Sequence, residues 1–450
     1  MRASVFATFA LVALAVPTHA QTTQTIAFTH ATVIPMDRER SLSDHTVIVR
    51  GDRIVEVGPS SRIQVPSGAT EVNAQGKFII PGLAEMHAHV PGGQAITEFS
   101  TRVLALYVLN GVTTVRGMLG SPLHLQLRNM TASGEVFGPT IYTTGPSFNG
   151  NSVTSPEVGM QMVRDQKAAG YDLLKIHPGI LQPAYDSLAA TATRLGIPFA
   201  GHVPAAVGVR RAIEVKQITI DHLDGYLEAI VVADKRASAP QSAWFGSNLV
   251  PLLDWSQLAP LARATVANGV WVVPTETIME SQSVGNLEEM LAWPEMRYWP
   301  ENVRTQWTNA LRNFRQQGWT MEGGQAFVAA RRRLMKELHD AGVKFLMGSD
   351  APQVWNVPGF SIHREMKQMA AAGLTPYQIL VSGTRNVGEY FGATKEFGTI
   401  EAGKRADLLL LDADPLRDIA NAHAINGVML RGRWLDKAAI DQRFAALQVP

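Results

Sequence analysis

Eight short runs rich in β-branched and apolar residues alternate with stretches of helical periodicity through the middle of this 450-residue chain. They are Leu83–His89, Val112–Met118, Thr140–Thr144, Asp172–His177, Pro198–Val203, Ile218–Leu223, Trp271–Thr275 and Lys344–Asp350. Such alternation argues for repeated strand–helix units and a parallel sheet. Several runs follow a helical stretch and a Gly-containing turn, as in Leu195-Gly196-Ile197-Pro198 and Ala341-Gly342-Val343. Eight units in a row favour a sheet closed into a (β/α)8 barrel over an open one, which places the chain in the α/β class.

The two ends break this rhythm. Thr46–Arg50 and Arg53–Val57 flank Gly51-Asp52, a hairpin signal. Near the other end, Ala406–Leu411 and Gly427–Arg433 each read as one strand. The expected organisation is a composite β-sandwich from residues 21–80 and 395–450 beside a barrel domain over 81–394. Two connections within the barrel are long. The segment 276–343 contains Trp293, Trp299, Trp307 and Trp319. Extra helices packed by aromatics are the favoured reading, and a lid or substrate wall is the alternative.

Residues 1–20 have the pattern of an export signal: a basic start at Arg2, an apolar run from Val5 to Val16, and a small residue, Ala20, before Gln21. A periplasmic or secreted protein is expected, with no membrane anchor because no Cys follows the apolar run. The chain has no Cys at all, which excludes disulfides, thiolate metal sites and Cys nucleophiles. Lys and Arg number 40 against 39 acids, so neither nucleic acid nor an anionic membrane is expected as partner. The expected partner is a small-molecule substrate, and self-association stays open.

Any metal must therefore rely on His, carboxylate or a modified side chain, and four of the twelve histidines fall in three of the central runs, with His177 in a fourth. His87 and His89 close the first run; residues i and i+2 of a strand face one way, so both imidazoles can hold one cation. His202 and His222 each follow an apolar approach in which a neutral ring would be buried without a partner. Asp350 ends Phe345-Leu346-Met347-Gly348-Ser349, where a lone buried carboxylate is costly unless paired or metal-bound. A helix N-cap is its alternative. Lys175 interrupts an otherwise apolar strand; a neutral amine there can add CO2 to give a carbamate, whereas a snorkelling or ion-paired lysine is the plain reading. His177 shares its face and reads equally as substrate contact or packing.

The ordered set Gly76–Leu83, His87-Ala88-His89, Gly111–Arg116, Asp172–Lys175, Gly201–Pro204, Gly348–Ala351 and Gly398–Leu408 resembles the amidohydrolase superfamily over nearly the whole chain after residue 20. The branch it resembles holds imidazolonepropionase-like enzymes and Xaa-Pro and Xaa-Arg/Lys dipeptidases. The resemblance implies two divalent cations, zinc first among them with manganese or cobalt as alternatives. His87, His89 and Asp350 would hold one and His202 and His222 the other, with carboxylated Lys175 and a hydroxide between. Asp350 would carry the proton from the attacking water to the leaving amine. Tyr226, His363 and Arg116 are the candidate substrate contacts, with Tyr226 equally readable as packing. Two positions depart from the family pattern, Gly117 where Asp is common and Asp221 where Glu is common, and neither is expected to touch a ligand. Hydrolysis of an amide, in a dipeptide or an N-acyl amino acid, is the leading expectation. A mononuclear deaminase or a cyclic-amide or lactone hydrolase is the alternative, phosphotriesters stay open, and a noncatalytic binder comes last.

Overall fold

The structure, a computed structural model, describes residues 24–449; the expected export segment, 1–20, lies outside the described residues. The chain ends are joined in one eight-stranded sheet. Its N-terminal strands are β1 (Thr25–Val33), β2 (Leu42–Arg50), β3 (Arg53–Pro59), β4 (Thr70–Asn73) and β5 (Phe78–Pro81). β1 pairs antiparallel with β2 on one side and parallel with β4 and then β5 on the other. Register shifts at Phe28/Ala31 and Ala31/Val33 bend β1 between those two partners. The last three strands of the chain, β13 (Leu408–Leu411), β14 (Ile425–Leu430) and β15 (Arg433–Asp436), continue the sheet through an antiparallel β5–β13 ladder. The run Gly427–Arg433 is therefore two strands, not one. Arg431 (φ 47°) and Gly432 (φ 76°) are both left-handed and turn the chain between β14 and β15. Only Gly fits at 432, because a Cβ there would stand 1.7 Å from the Gly51 carbonyl oxygen of the first hairpin. Phe28 of β1 meets Trp434 of β15 edge-on at 4.8 Å, so the aromatic contact as well as the ladder ties the two ends together.

Between these ends lie two parallel sheets. β6 (Leu83–Ala88), β7 (Val112–Gly117) and β8 (Thr140–Thr143) form one; β9 (Leu174–Ile176), β10 (Phe199–Gly201), β11 (Thr219–Asp221) and β12 (Trp271–Val273) form the other. Helices Glu98–Leu109, Leu123–Ser133, Pro156–Ala169, Gln182–Leu195 and Gly208–Glu214 follow β6 to β10 in turn, which is the expected alternation and gives a mixed α/β fold. Parallel bridges Thr144–Leu173 and Phe148–Ile176 join β8 to β9.

The eighth expected run, Lys344–Asp350, forms no ladder. It makes a single parallel bridge, Val272–Phe345, to β12 and accepts one bond from β6, Met86 N to Met347 O at 2.9 Å. Its remaining donors are drawn elsewhere: Met347 N to the Ser382 carbonyl and Ser349 N to the Glu85 carboxylate. A backbone that spends its N–H groups on a helix and a side chain cannot continue a strand.

The long connection 276–343 consists of helices, chiefly Glu301–Gln316 and Met321–Asp340. Trp299 and Trp307 are buried and stack at 5.5 Å, with Trp355 5.9 Å from Trp307. Trp319 packs with Trp244 and Phe314. Aromatic packing thus ties these helices to one another and to the segments that carry Trp244 and Trp355. No helix among the described residues is long and apolar enough to cross a membrane.

Candidate metal centre

The C-terminal ends of β6, β9, β10 and β11 and the 344–350 segment bring His87, His89, Lys175, His202, His222 and Asp350 together. One ligand atom each from His87, His89 and Asp350 falls within 4.8 Å of the others. Asp350 Oδ1 lies 3.0 Å from His89 Nε2 and 3.6 Å from His87 Nε2. It forms a hydrogen bond to neither and has no other partner. Polar atoms that approach this closely without bonding to each other are aimed at a common third point, as ligands are.

The second group lies against the first. The ring of His222 is 4.5 Å from that of His87 and 4.4 Å from that of His202. Thr275 Oγ1 sits 2.8 Å from His222 Nδ1, while His222 Nε2 is buried with no partner. His202 Nδ1 is 2.6 Å from Asp224 Oδ2, which leaves its other nitrogen for a ligand. Lys175 is fully buried, with Nζ 3.1 Å from His87 Nε2. Gly201 makes room for it: a Cβ there would stand 2.6 Å from the Ile176 carbonyl and 2.8 Å from Lys175 Cδ. Burial lowers Lys175 to about 8, against the pull of Asp221 and Asp350. Burial likewise holds His87 and His222 well below the usual imidazole range and His89 near 3, with Lys175 and neighbouring histidines adding to it. Neutral imidazoles are the form that binds a cation.

Backbone strain gathers at the same place. His222 (φ 62°), Thr275 (φ 53°) and Asp350 (φ 64°) are all left-handed, and such residues cost on the order of 1–3 kcal/mol each unless the surroundings hold them. What holds them is visible. Arg331 donates to the His222 carbonyl at 2.8 Å, and Asn356 donates to the Ser349 carbonyl at 2.5 Å. The buried Glu85 carboxylate accepts from His87 N at 3.0 Å, from Ser349 N at 2.8 Å and from the Ser349 hydroxyl. Burial raises Glu85 to about 7 against those bonds. Glu85 thereby fixes to each other the two segments that carry His87 and Asp350. Replacing Glu85 with Ala is expected to weaken metal binding about 10- to 100-fold, whereas Gln retains an acceptor and most of the affinity; metal titration of both variants checks this.

These buried, convergent donor atoms, with His222 Nε2 and Asp350 Oδ1 unbonded, fit a divalent cation centre. Residues 78–435 match the family model described as the amidohydrolase family.

The chain belongs to the amidohydrolase family.

Relatives and solved structures agree with this membership. An adenine deaminase from Chelativorans sp. (strain BNC1) is 26% identical over 392 residues, covering 85% of this chain and 53% of that one. A second, from Rubrobacter xylanophilus, is 32% identical over 108 residues, 22% of this chain and 18% of the relative. The chain thus spans about half or less of the length of these curated relatives. A bottromycin amidohydrolase structure superposes with TM-score 0.71 at 21% identity, covering 94% of this chain and 89% of that one. A Xaa-Pro dipeptidase with bound methionine gives 0.65 at 18% identity, covering 92% and 100%.

The three residues expected to grip substrate are placed otherwise. Tyr226 is wholly buried, and its hydroxyl pairs with Thr265 Oγ1 at 2.9 Å, so it packs helix to helix. His363 donates from Nε2 to the Asn110 carbonyl at 3.0 Å and faces a separate cavity with Glu295 and His423. Arg116 is fully buried with every donor nitrogen engaged, by Met86 O, Thr219, Tyr390 and Asp221. Tyr226 and Arg116 are thus fully engaged within the protein, and His363 lines a cavity apart from the candidate centre.

Arg116 also corrects the expectation that Asp221 touches no ligand. Asp221 Oδ2 lies 2.8 Å from His87 Nδ1 and 3.0 Å from Arg116 Nη2. Burial alone would raise Asp221, but Arg116 and Lys175 outweigh it and keep the carboxyl below its ordinary value. His177 puts its half-buried ring 5.2 Å from that of His202. Sequence reasoning passed over Glu85, Asp224 and Phe245. Glu85 is a lone acid in the apolar approach to His87, a signal of the kind that marked Asp350. Phe245 has none: it sits at a kink in the 3-10 segment Trp244–Leu252, left-handed at φ 51°, with its ring 5.6 Å from that of His222.

Proposed function

We propose that this chain is an exported, binuclear metal-dependent amidohydrolase that cleaves the amide bond of a dipeptide or an N-acyl amino acid. The observation that carries the reading is the convergence of His87, His89, His202, His222 and Asp350 around buried Lys175, with His222 Nε2 and Asp350 Oδ1 left unbonded. His87, His89 and Asp350 would hold one cation, and His202 and His222 the other. Lys175, as a carbamate, would bridge them, and zinc suits this set of nitrogen and oxygen donors. Closure of the two parallel sheets into one (β/α)8 barrel is part of the proposal. Its supports are the bridges from β8 to β9 and the hydrogen bonds that 344–351 makes to both β12 and β6. Export rests on residues 1–20.

When bound, the cation pair supplies acidification of the attacking water and polarisation of the scissile carbonyl. The protein residues do the rest. Asp350 takes the proton of that water on its carboxylate and returns it to the leaving amine. Asp224 and Thr275 orient His202 and His222 through their Nδ1 atoms. Phe245 lies against the rings of both, 6.3 Å from His202 and 5.6 Å from His222.

Elemental analysis of protein purified without chelator, with bicarbonate added, tests the reading. About two metals per chain are expected, falling in Lys175→Ala. One metal, unchanged in that variant, would support instead a mononuclear deaminase, the activity named for the relatives that match at sequence level. The burial of Lys175 against His87 favours the binuclear reading.

A further inference from the structure

A cavity of about 680 Å³ opens beside the candidate centre, walled by His202, Val203, Pro204, Val207 and Phe245. That volume lies well inside the range, roughly 300–1,000 Å³, of pockets that enclose a whole drug-sized ligand. It therefore holds much more than the reacting amide. The charged groups around it are unequally engaged. Asp224 is spent on His202, and Glu228 accepts from Ser242 Oγ at 2.6 Å.

Arg210 and Arg236, both exposed at the rim, are not matched in this way. Arg210 Nη2 donates to the Ala229 carbonyl at 3.4 Å, and Arg236 Nη2 donates to the same oxygen at 3.0 Å. Arg236 also donates to the Val231 carbonyl and the Gln257 side-chain oxygen. Among the described residues no carboxylate lies at ion-pair distance from either guanidinium. Asp254, whose carboxyl senses Arg236, spends its oxygens on Ser256 and Gln257. Two guanidiniums brought onto one carbonyl oxygen repel each other, and an anion placed between them reverses the sign of that interaction. Planar guanidinium donors match a carboxylate in geometry as well as charge.

We infer that Arg210 and Arg236 clamp an anionic group of the substrate, a carboxylate at the end remote from the bond that is cut. This deepens the hydrolytic reading above and rests on it for the identity of the other end. The substrate class is then an acidic amide: an acyl amino acid or short peptide with a distal carboxylate reaching the cavity rim. The apolar wall between, from Val203 to Phe245, suits an aliphatic spacer.

Two probes test the clamp: N-glutarylalanine, and the same compound with its glutaryl carboxylate converted to the primary amide. Binding is read by calorimetry at low salt in an Asp350→Asn background, where turnover is suppressed, and kcat/KM by alanine release in the wild-type background. The diacid is expected to bind about tenfold more tightly than its amide, a difference of about 1.4 kcal/mol. The preference should shrink to about twofold or less in Arg210→Met and reverse in Arg210→Glu, while the monoamide probe, which keeps only the alanine carboxylate, changes by less than about twofold. Arg210 is exposed and makes one long hydrogen bond, so the monoamide probe also reports that these variants remain folded. Equal affinity for the two probes, including no binding of either at millimolar concentration, would overturn the clamp. So would a preference that survives Arg210→Glu. Charge-dependent binding without alanine release would uphold the clamp and reject amide hydrolysis of this class. Alanine release without charge preference would do the reverse.

Discussion

In Asp350→Asn, kcat is expected to fall by about 10²- to 10⁴-fold while the cations stay bound. The substitution keeps the shape of the side chain and an oxygen able to ligate. It removes the capacity to accept a proton from the attacking water and deliver it to the amine. The position is well suited to this separation, because the strained backbone at 350 is held from outside the side chain. Asn356 grips the Ser349 carbonyl, and His89 N donates to the Ala351 carbonyl at 2.8 Å. Neither bond is lost in the variant. The two measurements are metal content by elemental analysis and kcat on the best substrate of an amide panel. Retained metal with wild-type kcat would remove Asp350 from the proton relay; lost metal would show that its contribution is ligation first.

The second large effect concerns stability. Arg331, on helix Met321–Asp340, is buried against Glu276, with Nε 3.0 Å from Oε2 and Nη2 2.7 Å from Oε1. The same guanidinium holds the His222 carbonyl. Glu276→Ala leaves that cation buried without its counter-charge, and breaking such a pair costs about 3–5 kcal/mol. Thermal unfolding should register a fall in Tm on the order of 10 °C. Removing both charges in Glu276→Leu/Arg331→Met should recover much of the loss, because an apolar pair of similar volume carries no desolvation penalty. A single variant within about 1 kcal/mol of wild type would mean that water reaches Arg331 and the pair is not truly interior. The double variant should still bind metal less well than wild type, since His222 has lost the support of its carbonyl.

What the sequence could reveal divides along the range of the interactions. His87 and His89 were readable because alternation along one strand is a local property. His202, His222 and Asp350 were readable because each ends an apolar run that has no local use for it. The hairpin around Gly51-Asp52 carried its own turn chemistry. The eighth run makes a single bridge in place of a ladder because part of its pairing was decided by distant acceptors, the Ser382 carbonyl and the Glu85 carboxylate. Arg116 looked free for a substrate because nothing nearby in sequence announces that Asp221 and Tyr390 meet it. The tryptophans of 276–343 pointed to packing, but not to Arg331 reaching beneath a ligand-bearing loop. Phe245 had no pattern at all: its place against His222 depends on how a kinked segment folds back.

The pairing of β5 with β13 has a consequence for how the chain is made. Phe78-Ile79-Ile80-Pro81 emerges early from the ribosome, but its partner Leu408–Leu411 emerges only after most of the protein has been synthesised. Until then an apolar strand edge has no neighbour and is a template for pairing with another molecule. Closing so long a loop also slows folding, because chain entropy is lost before the contact rewards it. Truncations that remove the final strands should therefore yield aggregates rather than a smaller soluble enzyme, and expression hosts that delay collapse until the whole chain is present should give the better yield.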